Sequence, residues 1–587
     1  MLGTHIQSPR PRPPLSTVPP LSRLQAIPPH HQSPLSLKLS DPTLLPILPR
    51  LLHRFQCLKE INLSGFDGDL NPLLHRIAIS GLNLQSLDIS SRQTLPVNGL
   101  RVFSSKMMNL TSLNCCRVGF LQDTDLTLIA ESFPMLHELD VSYPEQGSST
   151  GSSDWKPISD SGVLSLAVNL KSLRRINLSG NDFITDMSLL HLAKNCVLLT
   201  QVVIYECEFI THTGVAKLIR VCGHLNSVSF CGVGKPMIYR LGSLSLGCPW
   251  KSSKALCVVD FSDTVVPDEL LCSVAEACFP MKKIVLSNCV GYSFAGVSFL
   301  VRHYPLLEYL DLERTFFLTD NDIFELSKSL GSITYINLSY CHRLTSVTLD
   351  TLVRNCRVLN VILMVGTNAG AEALETDVVP NLGVKILNLS QNRLMGNGVI
   401  ANYVSVFPNL EMLNLSDCVN ITEDGIVEVL KRCSRIRHLE ISRCGLIENL
   451  LIDFELPKLE VLCARGLIID DDGLTIIGKR CPRLQKLDLS ACMEVTAKGV
   501  KEVVAYCKEI REIKLRSCTK FSYDIIPWML LSRPSLKTIV LPSASFRSLP
   551  NECQRKHIVH EGVLFGSSHM NIIQLQENII GYQLTGG

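Results

Sequence analysis

One aliphatic position recurs along nearly the whole chain at almost constant spacing. Taking the middle apolar residue of an L-x-x-L-x-L pattern as the anchor, it falls at Ile61, Leu87, Leu113, Leu139, Ile176, Val202, Val228, Val259, Ile284, Leu310, Ile336, Ile362, Leu387, Leu413, Leu439, Leu462, Leu487, Ile513 and Ile539. Most steps between these nineteen anchors are 25 or 26 residues; the exceptions are 37 after Leu139, 31 after Val228 and 23 after Leu439. Chance does not produce such a period. It is the mark of a stacked array, in which a unit too small to bury its own apolar face buries it against the next.

The unit is clearest in "LEMLNLSDCVNITEDGIVEVLKRC", residues 410–433. Its first part alternates buried and exposed positions, as a short pleated strand requires. Its second part predicts a helix: Thr422 stands at the N-cap, Glu423 and Asp424 suit the first turn, and Ile426, Val429, Leu430 and Cys433 fall on one face. One strand and one helix per unit of this length predict an α/β leucine-rich repeat solenoid. The expected form is a curved horseshoe with parallel strands on the concave face and helices on the convex face.

The 23 cysteines sort onto this repeat. Cys196, Cys222, Cys278, Cys356, Cys433, Cys481 and Cys507 lie six residues before an anchor, in a slot where other repeats hold Phe55, Phe133, Leu170, Tyr304, Leu330 and Phe407. There cysteine serves as a small apolar residue. Cys207, Cys289, Cys341, Cys418, Cys444, Cys492 and Cys518 lie five residues after an anchor, where other repeats hold Asn181, Asn392, Thr264, Thr315 or Thr367. That is a turn column whose side chain serves backbone groups between coils. Pairing is not required in a column that also accepts Asn and Thr, and unpaired buried thiols point to a reducing compartment, cytoplasm or nucleus. No C-x2-C pair has a second C-x2-C or H-x3-H partner, so neither metal nor cofactor is expected. The "NLS" triplets headed by Asn62, Asn177, Asn337, Asn388 and Asn414 all begin one residue after an anchor. They read as repeat consensus rather than as glycan acceptors.

A net charge of +2 gives no electrostatic case for nucleic acid or a membrane surface as partner. No apolar run is long enough to span a bilayer. Residues 1–40 are rich in Pro and Ser and predict a disordered tail, 41–57 a connector and N-terminal cap, 58–541 the repeat array, and 542–587 a C-terminal cap or tail. Insertions at 143–160 and 231–253, which carry Trp155 and Trp250, interrupt the array. No P-loop, G-x-S-x-G, H-E-x-x-H or dinucleotide-binding glycine pattern is present, so no enzyme is expected.

The motif "LNLSDCVNITEDGIVEVLKRC", with good copies at 484–507 and 333–356, resembles the cysteine-containing leucine-rich repeats of plant F-box/LRR proteins. That resemblance covers about 58 to 541. It implies a substrate-binding arm of a Skp–cullin–F-box ubiquitin ligase, with substrate proteins on the concave face. An F-box should precede the repeats, but only "LPILPRLLHRF" (45–55) stands there, like the connector that follows one. The expectation is therefore a truncated F-box protein or a repeat-only chain, with Skp adaptor and cullin as partners only of a form that carries the F-box. The alternative is a repeat-only scaffold or sensor, for example in plant defence. Candidate partner-binding residues on the concave face are Tyr205, Arg314, Tyr340, Arg443, Arg465, Lys514 and Arg516, which make the C-terminal third of that face basic.

Overall fold

The computed structural model describes residues 36–39, 45–46, 48–144, 156–230, 255–370, 380–445, 447–541 and 558–559. Every one of the nineteen anchors is the central residue of a three-residue strand. The chain divides into two compact units, residues 1–307 and 308–587.

In the first unit, strands β1 (Ser36–Lys38) to β10 (Lys283–Val285) each pair in parallel with the next strand in sequence. The second unit repeats the arrangement from β11 (Tyr309–Asp311) to β21 (Ile558–Val559). Register is anchor to anchor throughout; Leu87 faces Leu113 and Leu413 faces Leu439. The physical cause is burial on one face. A slip of one residue would turn every anchor away from the core. Helices return most of the strands to the start of the next, and each unit is an α/β leucine-rich repeat solenoid.

An aspartate ladder fixes how the helices stack. In the helix Asp186–Asn195, Asp186 takes the first position, and its carboxylate accepts from the next N-cap, Thr211, through N–H at 2.7 Å and Oγ1–H at 2.7 Å. Asp268 holds Ser293, Asp320 holds Thr345 and Asp471 holds Thr496 in the same way. Three residues past the held N-cap, Gly214, Gly296 and Gly499 make room, while Thr348 instead bonds Asp320. A Cβ on Gly214 would run into the Asp186 carboxylate, and one on Gly499 would lie 2.5 Å from Asp471 Oδ1.

Several expectations are corrected. Thr422 does precede its helix (Glu423–Arg432), but its hydroxyl does not cap it; it accepts instead from Asn397 Nδ2 at 2.7 Å, because Asn397 holds the ladder position of the previous repeat. Cys278 is exposed in left-handed backbone, not in the core. The helix before it ends at Glu276, and Phe279 fills the slot instead. Ser36–Lys38, inside the segment expected to be disordered, adds a strand to the array edge and buries Leu37 and Leu39. The short step after Leu439 lacks a helix among its described residues; Leu450, Ile452 and Leu456 line an extended return. The insertion at 231–253, Trp155 and Trp250, residues 1–35 and nearly all of 542–587 lie outside the described residues.

Candidate partner-binding surface

The strands span only one residue either side of each anchor, so the chain leaves the sheet early. Three residues past the strand, four past the anchor, the backbone is left-handed in repeat after repeat: Arg314 (φ 60°), Tyr340 (60°), Gly366 (60°), Gln391 (62°), Asp417 (63°) and Arg443 (56°). This conformation lets the N–H continue the ladder. Arg314 N–H donates to Ser339 O at 2.8 Å and Arg443 N–H to Arg465 O at 2.7 Å. For a residue with a Cβ the region is costly alone, and here the bonds to both neighbouring coils hold it. The residue one past the anchor completes the turn. Asn414 Oδ1 accepts from Ser416 N–H at 2.9 Å, and Asn388 Oδ1 from Ser390 N–H at 3.1 Å and Ser390 Oγ–H at 2.9 Å. The "NLS" triplets are these Asx turns.

The cysteine turn column joins the same system. Cys418 Sγ donates to Leu389 O at 3.2 Å, Cys207 Sγ to Leu178 O at 3.3 Å and Cys518 Sγ to Leu489 O at 3.1 Å. Asn392 Nδ2 donates likewise to Met364 O at 2.8 Å. In each case the acceptor is the carbonyl two past the preceding anchor. Burial pushes these thiols up, Cys207, Cys341 and Cys444 to about 12.

The seven sequence candidates are placed differently from expectation. Only Lys514 is on a strand (β19, Glu512–Lys514). Tyr205, Arg465 and Arg516 lie three past their anchors, and Arg314, Tyr340 and Arg443 four past, all on the turns that follow the strands, because the strands are so short. Tyr205, in the first unit, donates from its hydroxyl to Asp260 Oδ2 at 2.9 Å. In the second unit Arg314 lies over the Tyr340 ring at 5.3 Å.

Nor is the face basic. Arg443 makes two 2.6 Å bonds to the Asp417 carboxylate, Lys514 Nζ lies 3.2 Å from Glu512 and Arg465 Nε 4.0 Å from Asp488. Acids alternate with the cations from coil to coil, and a polyanion finds no concentrated positive field.

Sequence reasoning does not single out what lies between these residues. At the positions flanking the anchors, where most repeats are polar, Tyr335, Val361, Leu363, Ile386 and Met412 form one apolar cluster, and Tyr309 stacks on Tyr335 with ring centroids 3.8 Å apart. Asn388 lies on the same side of the sheet, 1% exposed, and its Nδ2 has no hydrogen-bond partner among the described residues. On the turn side of this cluster is a half-open cleft of about 520 Å³, lined by Tyr340, His342, Gly366, Gln391, Arg393 and Asp417 among others. The signal available in the sequence was the departure of these flanking positions from the polar pattern of their neighbours. Next along the array, His438 Nε2 is 2.9 Å from Glu440 Oε1, and burial beside Glu440 and Asp488 pushes the Cys463 thiol up to about 12.

A cysteine-containing leucine-rich repeat protein is the class these coils define. A scan against protein-family models finds no match. Among curated proteins the chain is similar to GRR1-like protein 1 of Arabidopsis thaliana, 25% identical over 303 residues, which agrees with the resemblance of the repeats to plant F-box/LRR proteins. That match covers 46% of this chain and 43% of the relative, so the chain spans less than half the length of the curated relative it matches. Among solved structures it is similar to a chain of the yeast Rad7 and Elc1 complex, at 15% identity over 75% of this chain and 84% of that chain, with TM-score 0.39. It is similar also to a chain of the mouse RP105/MD-1 complex (15% identity, 83% and 75% covered, TM-score 0.40) and of the TLR13–ssRNA13 complex (13%, 84% and 82%, 0.40). The fold assignment itself rests on the repeat geometry.

Proposed function

We propose that this chain is a non-catalytic protein-binding arm that presents partner proteins for ubiquitination, acting in the cytoplasm or nucleus. The observation that carries the binding role is the outward sheet face of the second unit. There an apolar and aromatic cluster is bordered by Tyr340, Arg314 and Arg443 on rigid turns. Aromatic and Arg side chains held in place on these turns supply both anchoring area and orientation to a bound protein. The ubiquitin link rests on the repeat subfamily and on the partial match to GRR1-like protein 1. Skp adaptor and cullin enter as partners only of a form that carries an F-box.

The test is affinity capture of the full chain from plant cells with and without proteasome inhibition, beside Tyr340→Ala and Arg443→Glu. The expected result is a set of bound proteins that rises on inhibition and is lost from both variants. A bound set indifferent to inhibition would favour a scaffold or sensor instead. Capture that both variants retain would remove this face as the binding surface.

A further inference from the structure

Beyond the proposed binding role, one cluster on the outward face has the composition of a metal site. His438 and Glu440 are the first and last residues of strand β16 (His438–Glu440), one on each side of anchor Leu439, so both point away from the helices. Cys463 closes strand β17 (Val461–Cys463), and parallel register sets it directly beside Glu440. The imidazole nitrogen, carboxylate oxygen and sulfur all lie within 4.8 Å of one another, and His438 Nε2 is already 2.9 Å from Glu440 Oε1.

Zinc takes sulfur at about 2.3 Å and nitrogen or oxygen at about 2.0–2.2 Å in tetrahedral geometry, so its ligand atoms sit roughly 3.3–3.8 Å apart. The three donors are within about an ångström of that arrangement, on strands whose backbone is fixed by the ladder. Glu440 is also oriented from behind: Asn414 Nδ2 donates to Oε2 at 2.7 Å and leaves Oε1 for the site. His438 is 9% exposed while Glu440 and Cys463 are half-buried, so the site is sheltered yet open on its outer side. The nearest cations, Arg465 and Lys514, are engaged by Asp488 and Glu512 and do not fill it.

We propose that His438, Glu440 and Cys463 form a binding site for a divalent transition metal of the zinc type, with the fourth coordination position open to water or to a side chain of a bound protein. One sulfur, one imidazole and one carboxylate form a borderline-soft donor set, which favours Zn2+ or Co2+ over Mg2+ or Ca2+. As the metal–sulfur bond forms, the thiol proton leaves to solvent; no oxidant or reductant is needed. A search for linear Cys and His motifs misses the site because its ligands come from adjacent coils, two of them flanking one anchor.

Co2+ titration of the chelator-treated, reduced full chain tests this, with Zn2+ as competitor. A single equivalent should bind with a thiolate-to-cobalt charge-transfer band and the visible bands of tetrahedral Co2+, and Zn2+ should displace it. Cys463→Ser should abolish the charge-transfer band. Glu440→Gln, which preserves shape, and His438→Asn should each weaken binding about tenfold or more, with circular dichroism unchanged. Absence of the band at stoichiometric metal would overturn the proposal. So would a band that survives in Cys463→Ser, since other thiols would then be the ligands, or affinity unchanged in both Glu440→Gln and His438→Asn.

Discussion

At the residue scale, one side-chain role is filled by different chemistry in different coils. At the position five past the anchor, Asn392 and Cys418 donate to a carbonyl of the preceding coil, while Thr264 turns its hydroxyl to Phe261 O of its own coil. A thiol is a weak donor but a good apolar filler, which explains why it succeeds in a slot with no exposure. Cys418→Ala should therefore lose more than the volume of a sulfur. It leaves Leu389 O without this donor and opens a small void, at about 1–3 kcal/mol, read from urea unfolding. Cys418→Ser should lose less. The buried thiols also tie stability to pH. Their ordinary value is 9.0, and in the fold Cys433, Cys444 and Cys507 are pushed to about 12 by burial. A group whose folded value is raised contributes fully below its unfolded value and loses that contribution as pH rises towards the folded one. The urea midpoint should thus fall as pH climbs from 9.0 towards about 12, and a thiol reagent at neutral pH should modify Cys57 and Cys278 while leaving Cys418 and Cys433 untouched in the native state.

At the scale of the element, the helices are ordered less by propensity than by what the previous coil offers their N-termini. Asp186 holds Thr211, and Gly214 is small because the same carboxylate occupies the space a side chain would need. Asp186→Ala should cost about 0.5–2 kcal/mol through loss of the cap support. Gly214→Ala should cost at least as much through the clash. The two should not add: with the carboxylate gone, the Cβ at position 214 has room, and the double variant should be more stable than the sum of single losses by about 0.5 kcal/mol or more. Additivity in that double-mutant cycle would mean the glycine serves only its own backbone. The same logic explains the misassigned role of Thr422. Its place at a helix start is local and legible, whereas the partner of its hydroxyl, Asn397, belongs to another coil.

At the scale of the whole molecule, each strand pairs with its sequence neighbours and each coil leans on the next, so within a unit stability is expected to travel as nearest-neighbour coupling. Leu413→Ala empties a fully buried anchor and should cost about 2–5 kcal/mol. Hydrogen exchange should rise first in its own strand β15 (Met412–Asn414) and in the adjoining β14 (Ile386–Asn388) and β16, and only later in strands further along the same unit. Uniform loss of protection across the unit would contradict that coupling. Among the described residues no helix is long and apolar enough to cross a membrane. Period, strand centres, core slots and subfamily were all determined by the sequence, because each depends on a pattern that repeats within one coil and is enforced by burial. The functional face was not. The fate of Arg443, Arg465 and Lys514 turned on Asp417 of the preceding coil, Asp488 of the next coil and Glu512 of the same strand. The apolar cluster from Tyr309 to Met412 and the approach of Cys463 to His438 and Glu440 exist only once consecutive coils are laid side by side. Contacts between coils join residues far apart in sequence at positions the repeat leaves free to vary, and only the tertiary structure decides which of those free choices meet.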